Sequence, residues 1–135
     1  NVFPPEIALG TRTDRAIAAW AAQANARPVG PGGPDGAVAP FVVVAGHTHW
    51  PYAWAPEHAT TPDGQYHYAR APFYFNSGCS SFIDGTLTGI LITNGRMGLV
   101  KFSKDQTLNR VRMDALNAPL AIDEVFRLVG GRGEG

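Results

Sequence analysis

Near the start of the chain, apolar side chains recur at the spacing of a helix. Residues 14–26 are rich in alanine and contain neither glycine nor proline, which favours helix. The positions i, i+3, i+4 and i+7 are filled by Ile17, Trp20, Ala21 and Ala24. This pattern predicts an amphipathic helix that buries the apolar face, with Thr13 as its N-cap and Asp14 in its first turn.

Two apolar runs predict buried strands. Phe41–Ala45 is apolar at every position, as expected of a central strand that is covered on both faces. Phe73–Phe75 is a shorter run that ends at Asn76-Ser77-Gly78, a turn-forming triplet. Between these runs, residues 50–71 are predicted to be irregular, with a short strand at Tyr66–Tyr68. A helix and a loop followed by a buried strand and a polar loop make half of a βα unit, which predicts an α/β fold.

The last third of the chain predicts a hairpin and two further elements. Leu87–Thr93 and Met97–Ser103 are apolar runs separated by Asn94-Gly95, the strongest short hairpin signal in the sequence. Leu108–Leu116 predicts another strand, and Ala121–Val129 a terminal helix. Around these elements, we expect one domain or half-domain over residues 1–135. It has an extended arm at 1–12, a Pro- and Gly-rich loop at 27–40 and a frayed tail at 130–135.

Composition narrows the class of protein. The chain is 44% apolar and 16% charged, which excludes a disordered tail, and its 11 basic and 11 acidic residues argue against bulk binding of nucleic acid. No apolar run approaches the roughly 20 residues of a membrane helix. The single cysteine, Cys79, excludes an internal disulfide and fits a cytoplasmic location. A first residue other than Met indicates a processed chain or a fragment of a longer one.

The candidate chemistry lies directly after the first predicted strand. His47 and His49 are two residues apart in a polar loop that begins with Gly46, whose backbone freedom permits a tight turn. On an extended strand the two imidazoles would point to opposite sides, whereas in a tight loop both can reach adjacent metal ions. Imidazole is a good ligand for Zn, Mn, Fe and Ni. On spacing alone, a polar surface or core role for the pair remains the alternative.

Three blocks in a fixed order resemble the calcineurin-like metallophosphoesterases. Val42–His49 resembles the signature in which a hydrophobic strand delivers Gly-His-x-His. Tyr74–Cys79 resembles the strand of that family that ends in Asn-x-Gly-Ser/Cys, and Thr88–Val100 resembles the hairpin that follows it. The predicted helix also precedes the signature strand as it does in the family. The resemblance covers roughly residues 13–103.

The resemblance implies a fold and a function. The fold would be the C-terminal half of a four-layer α/β/β/α sandwich, and the activity would be the metal-dependent hydrolysis of a phosphate mono- or diester. His49 would ligate the first and His47 the second of two divalent ions (Mn, Fe, Zn or Ni). The substrate would be a phosphorylated small molecule or a phosphodiester.

The departure from the family pattern is large. The earlier ligand blocks, Asp-x-His, Gly-Asp-x-x-Asp and Gly-Asn-His-Asp/Glu, do not occur in residues 1–40, where the only carboxylates are Glu6, Asp14 and Asp35. Two imidazoles cannot hold two catalytic metals. We therefore expect the chain alone to be inactive and to need an N-terminal half or a complementing chain. The alternatives are a non-catalytic interaction module and a single-metal structural domain.

Five further residues near the histidines are candidates for contact with substrate: Thr48, Trp50, His58, His67 and Arg70. Each also has a structural interpretation. Thr48 would brace the loop through a local hydrogen bond, Trp50 would pack beneath it, and the other three would be solvated surface residues. Asn76 is expected to hold its turn. Cys79 is expected to be a buried inert thiol, although a pairing with His47 or His49 is conceivable.

Overall fold

The computed structural model describes residues 3–4, 7–26 and 39–131, and these form a mixed α/β fold. The described elements are helices α1 (Arg12–Asn25) and α2 (Ile122–Gly130) and strands β1 (Val43–Ala45), β2 (Tyr74–Asn76), β3 (Leu87–Thr93), β4 (Arg96–Asp105), β5 (Arg110–Ala115) and β6 (Leu120–Ala121). Three short 3-10 helices, Pro56–Ala59, Pro62–Gln65 and His67–Ala69, connect β1 to β2. Most of the loop predicted at residues 27–40, namely 27–38, and the tail from 132 onward lie outside the described residues.

Helix α1 is present, but it begins earlier than predicted, and one of the four positions predicted to face the core is exposed. Thr11 rather than Thr13 is the N-cap, since its hydroxyl accepts the Asp14 N–H at 3.0 Å. Trp20, predicted to be buried, is 55% exposed and leans on the Phe41 ring. The buried positions of α1 are Asp14, Ala18, Ala21, Ala22, Ala24 and Asn25. Small side chains let the helix approach the strands closely, and a bulky indole would prevent this approach.

The first sheet consists of two parallel strands. β1 and β2 pair in the register Val43↔Tyr74, so both strands end at the same edge. β2 is buried throughout, whereas Val44 in β1 is 49% exposed, and among the described residues β1 pairs with β2 alone. The expectation of a central strand covered on both faces is therefore wrong for the described part of the chain.

The second sheet is antiparallel and carries the predicted hairpin. β4 pairs with β3 on one side and with β5 on the other, and the short β6 also pairs with β4. The β3–β4 turn is Asn94-Gly95, with φ of 52° and 72°, as an Asn-Gly hairpin turn requires. The predicted strand at residues 66–68 is wrong, because the segment His67–Ala69 forms a 3-10 helix and the Tyr66 and Tyr68 rings stack.

The two sheets and both helices share a hydrophobic core. Phe75 of β2, Leu99 of β4 and Val125 of α2 are fully buried and belong to one cluster with Ala21 of α1. The terminal helix is confirmed, and it ends at Gly130. Gly131 follows as its C-cap, with the usual left-handed conformation at φ of 57°. No helix within the described ranges is long and apolar enough to cross a bilayer.

Candidate functional site

The Gly46–His49 loop follows β1 directly and lies at the edge where both parallel strands end. The pairing continues past the strands, since Ser77 N–H donates to the Ala45 carbonyl at 2.9 Å. The loop therefore lies beside the turn that follows Asn76. In sheets with parallel strands, this carboxyl edge is the usual place for a site.

The loop backbone is tight and strained. His47 and His49 have φ of 71° and 63°, and Thr48 N–H donates to the Gly46 carbonyl at 2.8 Å, which closes a three-residue turn around His47. A left-handed conformation costs a residue other than glycine about 1–2 kcal/mol. Both histidine side chains are exposed. The predicted tight loop is confirmed, although it is the histidines rather than Gly46 that adopt positive φ.

Thr48, between the two histidines, is hydrogen-bonded both to a neighbour in sequence and to residues far away in the chain. The predicted local bond exists, with Trp50 N–H donating to Thr48 Oγ1 at 3.4 Å. Shorter bonds reach distant parts of the chain, because Asn76 Nδ2 donates to Oγ1 at 2.8 Å and Oγ1 donates to Asp14 Oδ1 at 3.1 Å. The loop is thus tied to both β2 and α1.

Asp14 is the centre of this arrangement, whereas its sequence context predicts only a place in the first turn of a helix. Its side chain is fully buried. Oδ1 accepts from Thr48, from Tyr74 Oη at 2.5 Å and from Asn76 Nδ2 at 3.2 Å, while Oδ2 accepts from Thr11 at 2.6 Å. Burial raises the pKa of the Tyr74 phenol, and its bond to Asp14 raises that pKa further. The signal in the sequence was an acidic residue on a helix face that otherwise carries alanines and Asn25.

Asn76 orients the cluster from β2. Its Oδ1 accepts the Gly78 N–H at 2.8 Å, which confirms the predicted role in the turn. Because Oδ1 is directed at Gly78, the amide nitrogen of Asn76 faces Asp14, Thr48 and Tyr74. One buried side chain therefore holds both loops at this edge of the sheet. We call the group Asp14, Thr48, Tyr74 and Asn76 the anchor cluster.

His49 has a second fixed contact. Its Nδ1 lies 3.2 Å from Cys79 Sγ, and the same sulfur accepts the Ser81 N–H at 3.2 Å. Cys79 is 3% exposed, so the expectation of a buried thiol is confirmed, and the conceivable contact with His49 is present as well. Because Nδ1 faces the sulfur, Nε2 is the nitrogen of His49 that remains for a ligand.

Trp50 packs against the arm before α1. A Cβ on Gly10 would fall 2.1 Å from the indole ring, so the ring lies directly on that backbone. The indole Nε1 is buried and has no hydrogen-bond partner among the described residues. This placement supports the packing interpretation of Trp50. Tyr52 and Trp54, the next aromatic residues, are buried in the core.

The remaining candidate residues are His58, His67 and Arg70. His58 Nδ1 accepts the Ala55 N–H at 3.2 Å and lies 3.0 Å from the Tyr52 hydroxyl, and its ring stacks on that tyrosine. His67 and Arg70 line a surface cavity of about 320 Å³ at the C-terminal ends of α1 and α2. The anchor cluster touches the first turn of α1, a helix roughly 20 Å long at 1.5 Å per residue. The structure therefore does not bring these two residues to the histidine loop.

The donor set fits an incomplete metal site. Two exposed imidazoles on a braced loop are suitable ligands for a borderline metal ion. Within the described ranges, no group of three or more His, Cys, Asp or Glu side chains could hold a metal ion. A metal ion at His47 and His49 would thus need further ligands from outside the described residues.

Comparisons of the chain with models of protein families, with curated protein sequences and with solved structures gave no match. The functional interpretation of the histidine loop therefore rests on its residues and its geometry.

Proposed function

We propose that this chain supplies two ligands, His47 and His49, to a binuclear metal centre that hydrolyses a phosphate mono- or diester. The remaining ligands would come from an N-terminal half of the same four-layer α/β/β/α sandwich or from a complementing chain. The observation that carries the proposal is the loop itself, in which two exposed histidines hold positive φ on either side of Thr48, a half-buried residue that is hydrogen-bonded to the buried Asp14 and Asn76.

The strain in this loop supports a functional role. Positive φ at residues other than glycine is uncommon and persists only where the surroundings enforce it. The anchor cluster provides such surroundings, since Thr48 is bonded to Asp14 and Asn76. If the loop only connected two elements, glycine at positions 47 and 49 would give the same backbone without strain. Strained histidines at the carboxyl edge of a parallel pair are typical of a site.

Each residue has a separate part in the proposed chemistry. His49 would bind its metal through Nε2, because Nδ1 faces Cys79 Sγ. His47 would bind the second ion, and Thr48 would hold the two imidazoles at a constant spacing. Bound divalent ions polarise a phosphoryl oxygen and offset the charge that develops during in-line displacement.

The proposal is tested in the full reading frame that contains this chain, with bis(p-nitrophenyl) phosphate and p-nitrophenyl phosphate as substrates and Mn²⁺ or Zn²⁺ added. His49→Ala should lower both the metal content and the turnover, the latter by about 100-fold or more, as loss of a metal ligand does. The matched control is His67→Ala, the same change at a histidine beside the C-terminal end of α1, and it should leave the metal content and the turnover unchanged. Unchanged turnover in His49→Ala would overturn the proposal.

A second candidate function is a non-catalytic module that pairs with another chain, with the histidines forming a single structural metal site. The exposed Val44 favours it, since one face of β1 is open among the described residues. One tightly bound metal per chain, with no hydrolysis by the full reading frame, would select this function over the first.

A further inference from the structure

Asp14 is a buried carboxylate without a cationic partner among the described residues. The ion pairs of the described part are Arg112–Asp114 and Arg127–Glu124, and both are exposed. Taking a carboxylate out of water is costly unless its oxygens are hydrogen-bonded. Here both oxygens accept, and three donors converge on Oδ1. A helix needs no such group at this position, because Thr11 already caps α1.

The Thr48 hydroxyl shows where this buried group acts. A hydroxyl has one hydrogen to donate and two lone pairs with which to accept. Asn76 Nδ2 and the Trp50 N–H donate to Oγ1, so its own hydrogen is directed to Asp14 Oδ1. With all three bonds made, one rotamer of Thr48 is selected. The rotamer is coupled to the backbone, and the backbone on either side is that of His47 and His49.

We propose that Asp14 is the positioning residue of the histidine loop, acting through Thr48 to hold His47 and His49 in their strained conformations before any metal binds. The proposal rests on the proposed function for what the histidines ligate. It makes the first turn of α1 part of the site, although Asp14 lies 34 positions from Thr48 in sequence. Asp14 touches neither the metal nor the substrate in this role.

A purely structural role of Asp14 would have a different signature. The bond from Tyr74 to Asp14 joins β2 to α1 and does not involve the loop. Thr48→Val removes the hydroxyl with little change of shape and leaves that bond in place. Thr48→Ser keeps the hydroxyl and should rescue. The pair therefore separates positioning of the loop from general stability of the fold.

The experiment measures Zn²⁺ affinity by calorimetry, and the amide and imidazole NMR signals of His47 and His49 without metal, on the whole chain. Thr48→Val and Asp14→Asn should each weaken Zn²⁺ binding by about 10- to 100-fold, as loss of outer-shell partners does. Both should also shift the two histidines' signals, and Thr48→Ser should stay near wild type. Val125→Ala, at a buried position of α2 that is not in the anchor cluster, is the matched control that destabilises without these changes.

The outcomes separate the two proposals. Wild-type Zn²⁺ affinity and unshifted histidine signals in Thr48→Val would overturn the positioning role, even if Asp14→Asn fails to fold. If the wild-type chain binds no Zn²⁺, the metal-free signals decide: a shift in Thr48→Val but not in Thr48→Ser supports positioning, and no shift overturns it. Loss of hydrolysis without any of these changes concerns the proposed function alone.

Discussion

Two turns of this molecule both contain two residues with positive φ, but different parts of the structure hold them in place. The β3–β4 hairpin turns at Asn94 and Gly95, residues that adopt positive φ at little cost, and Gly95 has open space where a Cβ would be. The Gly46–His49 loop uses positive φ at two histidines, which adopt it at a cost. The hairpin is held by its own strands, whereas the loop is held by the buried anchor cluster.

The difference between the turns separates local from tertiary control. At the hairpin, residue choice and backbone conformation agree, so neighbouring residues are sufficient. At the loop they disagree, and Asp14 and Asn76, which are distant in sequence, enforce the conformation. Such disagreement is expected at functional sites, where local preference is overridden for the sake of side-chain placement.

The largest effect should come from adding a methyl group to Gly78, which follows Asn76 of the anchor cluster, and the comparison is the same change at Gly95 in the hairpin turn. In Gly78→Ala, with φ of 89°, the new Cβ would fall 1.9 Å from Thr88 Oγ1 and 2.8 Å from Pro51 Cβ. In Gly95→Ala, with φ of 72°, the Cβ meets nothing within 4 Å. We expect Gly78→Ala to lower the free energy of unfolding by about 3 kcal/mol or more, and Gly95→Ala by about 1 kcal/mol. Urea titrations measure both, and equal losses would contradict the comparison.

The next effect concerns Tyr74, which has no counterpart in the hairpin turn. Tyr74→Phe removes a donor to a buried carboxylate and should cost about 2 kcal/mol at neutral pH. Because burial and the bond to Asp14 raise the pKa of Tyr74 above the ordinary phenol value of 10.0, the fold favours the protonated phenol. The contribution of Tyr74 to stability is therefore complete below pH 10 and falls as the pH rises further, since the unfolded chain ionises first.

The check is the free energy of unfolding between pH 8 and pH 11, with tyrosine ionisation followed by absorbance. The wild type should lose more stability above pH 10 than Tyr74→Phe does, because the substituted chain lacks the group concerned. Parallel pH curves for the two proteins would contradict the proposed environment of Tyr74.

The smallest effect compares two substitutions at His47. With φ of 71°, His47→Gly should be more stable than His47→Ala by about 1 kcal/mol, because glycine carries no penalty for positive φ. Asn94→Gly and Asn94→Ala, made in the hairpin turn at a φ of 52°, should differ in the same direction and by a similar amount, because the preference for glycine over alanine at positive φ does not depend on the residue that is replaced. Thermal unfolding gives all four values. An alanine variant of His47 as stable as the glycine variant would show that the loop is free to relax.

The antiparallel region was predictable because its signals are local. Asn94-Gly95 between two apolar runs specifies the hairpin, and the observed β3 has the predicted bounds. The parallel region was predictable only in part. The strand predicted at Phe73–Phe75 is present one position later, at Tyr74–Asn76, and the tight loop after β1 is present as well. The exposure of Val44 and the burial of Asp14 were not predicted. Both depend on what packs against the residue.

The buried face of α1 shows why periodicity did not suffice. The pattern placed Trp20 inside because it is large and apolar, whereas the helix packs with its alanines and with two polar residues, Asp14 and Asn25. Asn25 is buried because its side chain bonds to the Phe41 backbone, and Asp14 because Tyr74, Asn76 and Thr48 donate to it. The pattern of apolar positions in one segment carries no information about hydrogen-bonding partners that other segments supply.

By itself, the sequence determined the α/β class, the hairpin, the terminal helix and the pair of histidines after a strand. Each depends on residues within a few positions of one another, where propensity and turn chemistry act. Only the tertiary structure decided which face of α1 is buried and that Asp14 lies under the histidine loop. These follow from contacts across 16 to 62 positions of chain. Their hydrogen bonds stabilise the buried polar groups only after the segments have packed together.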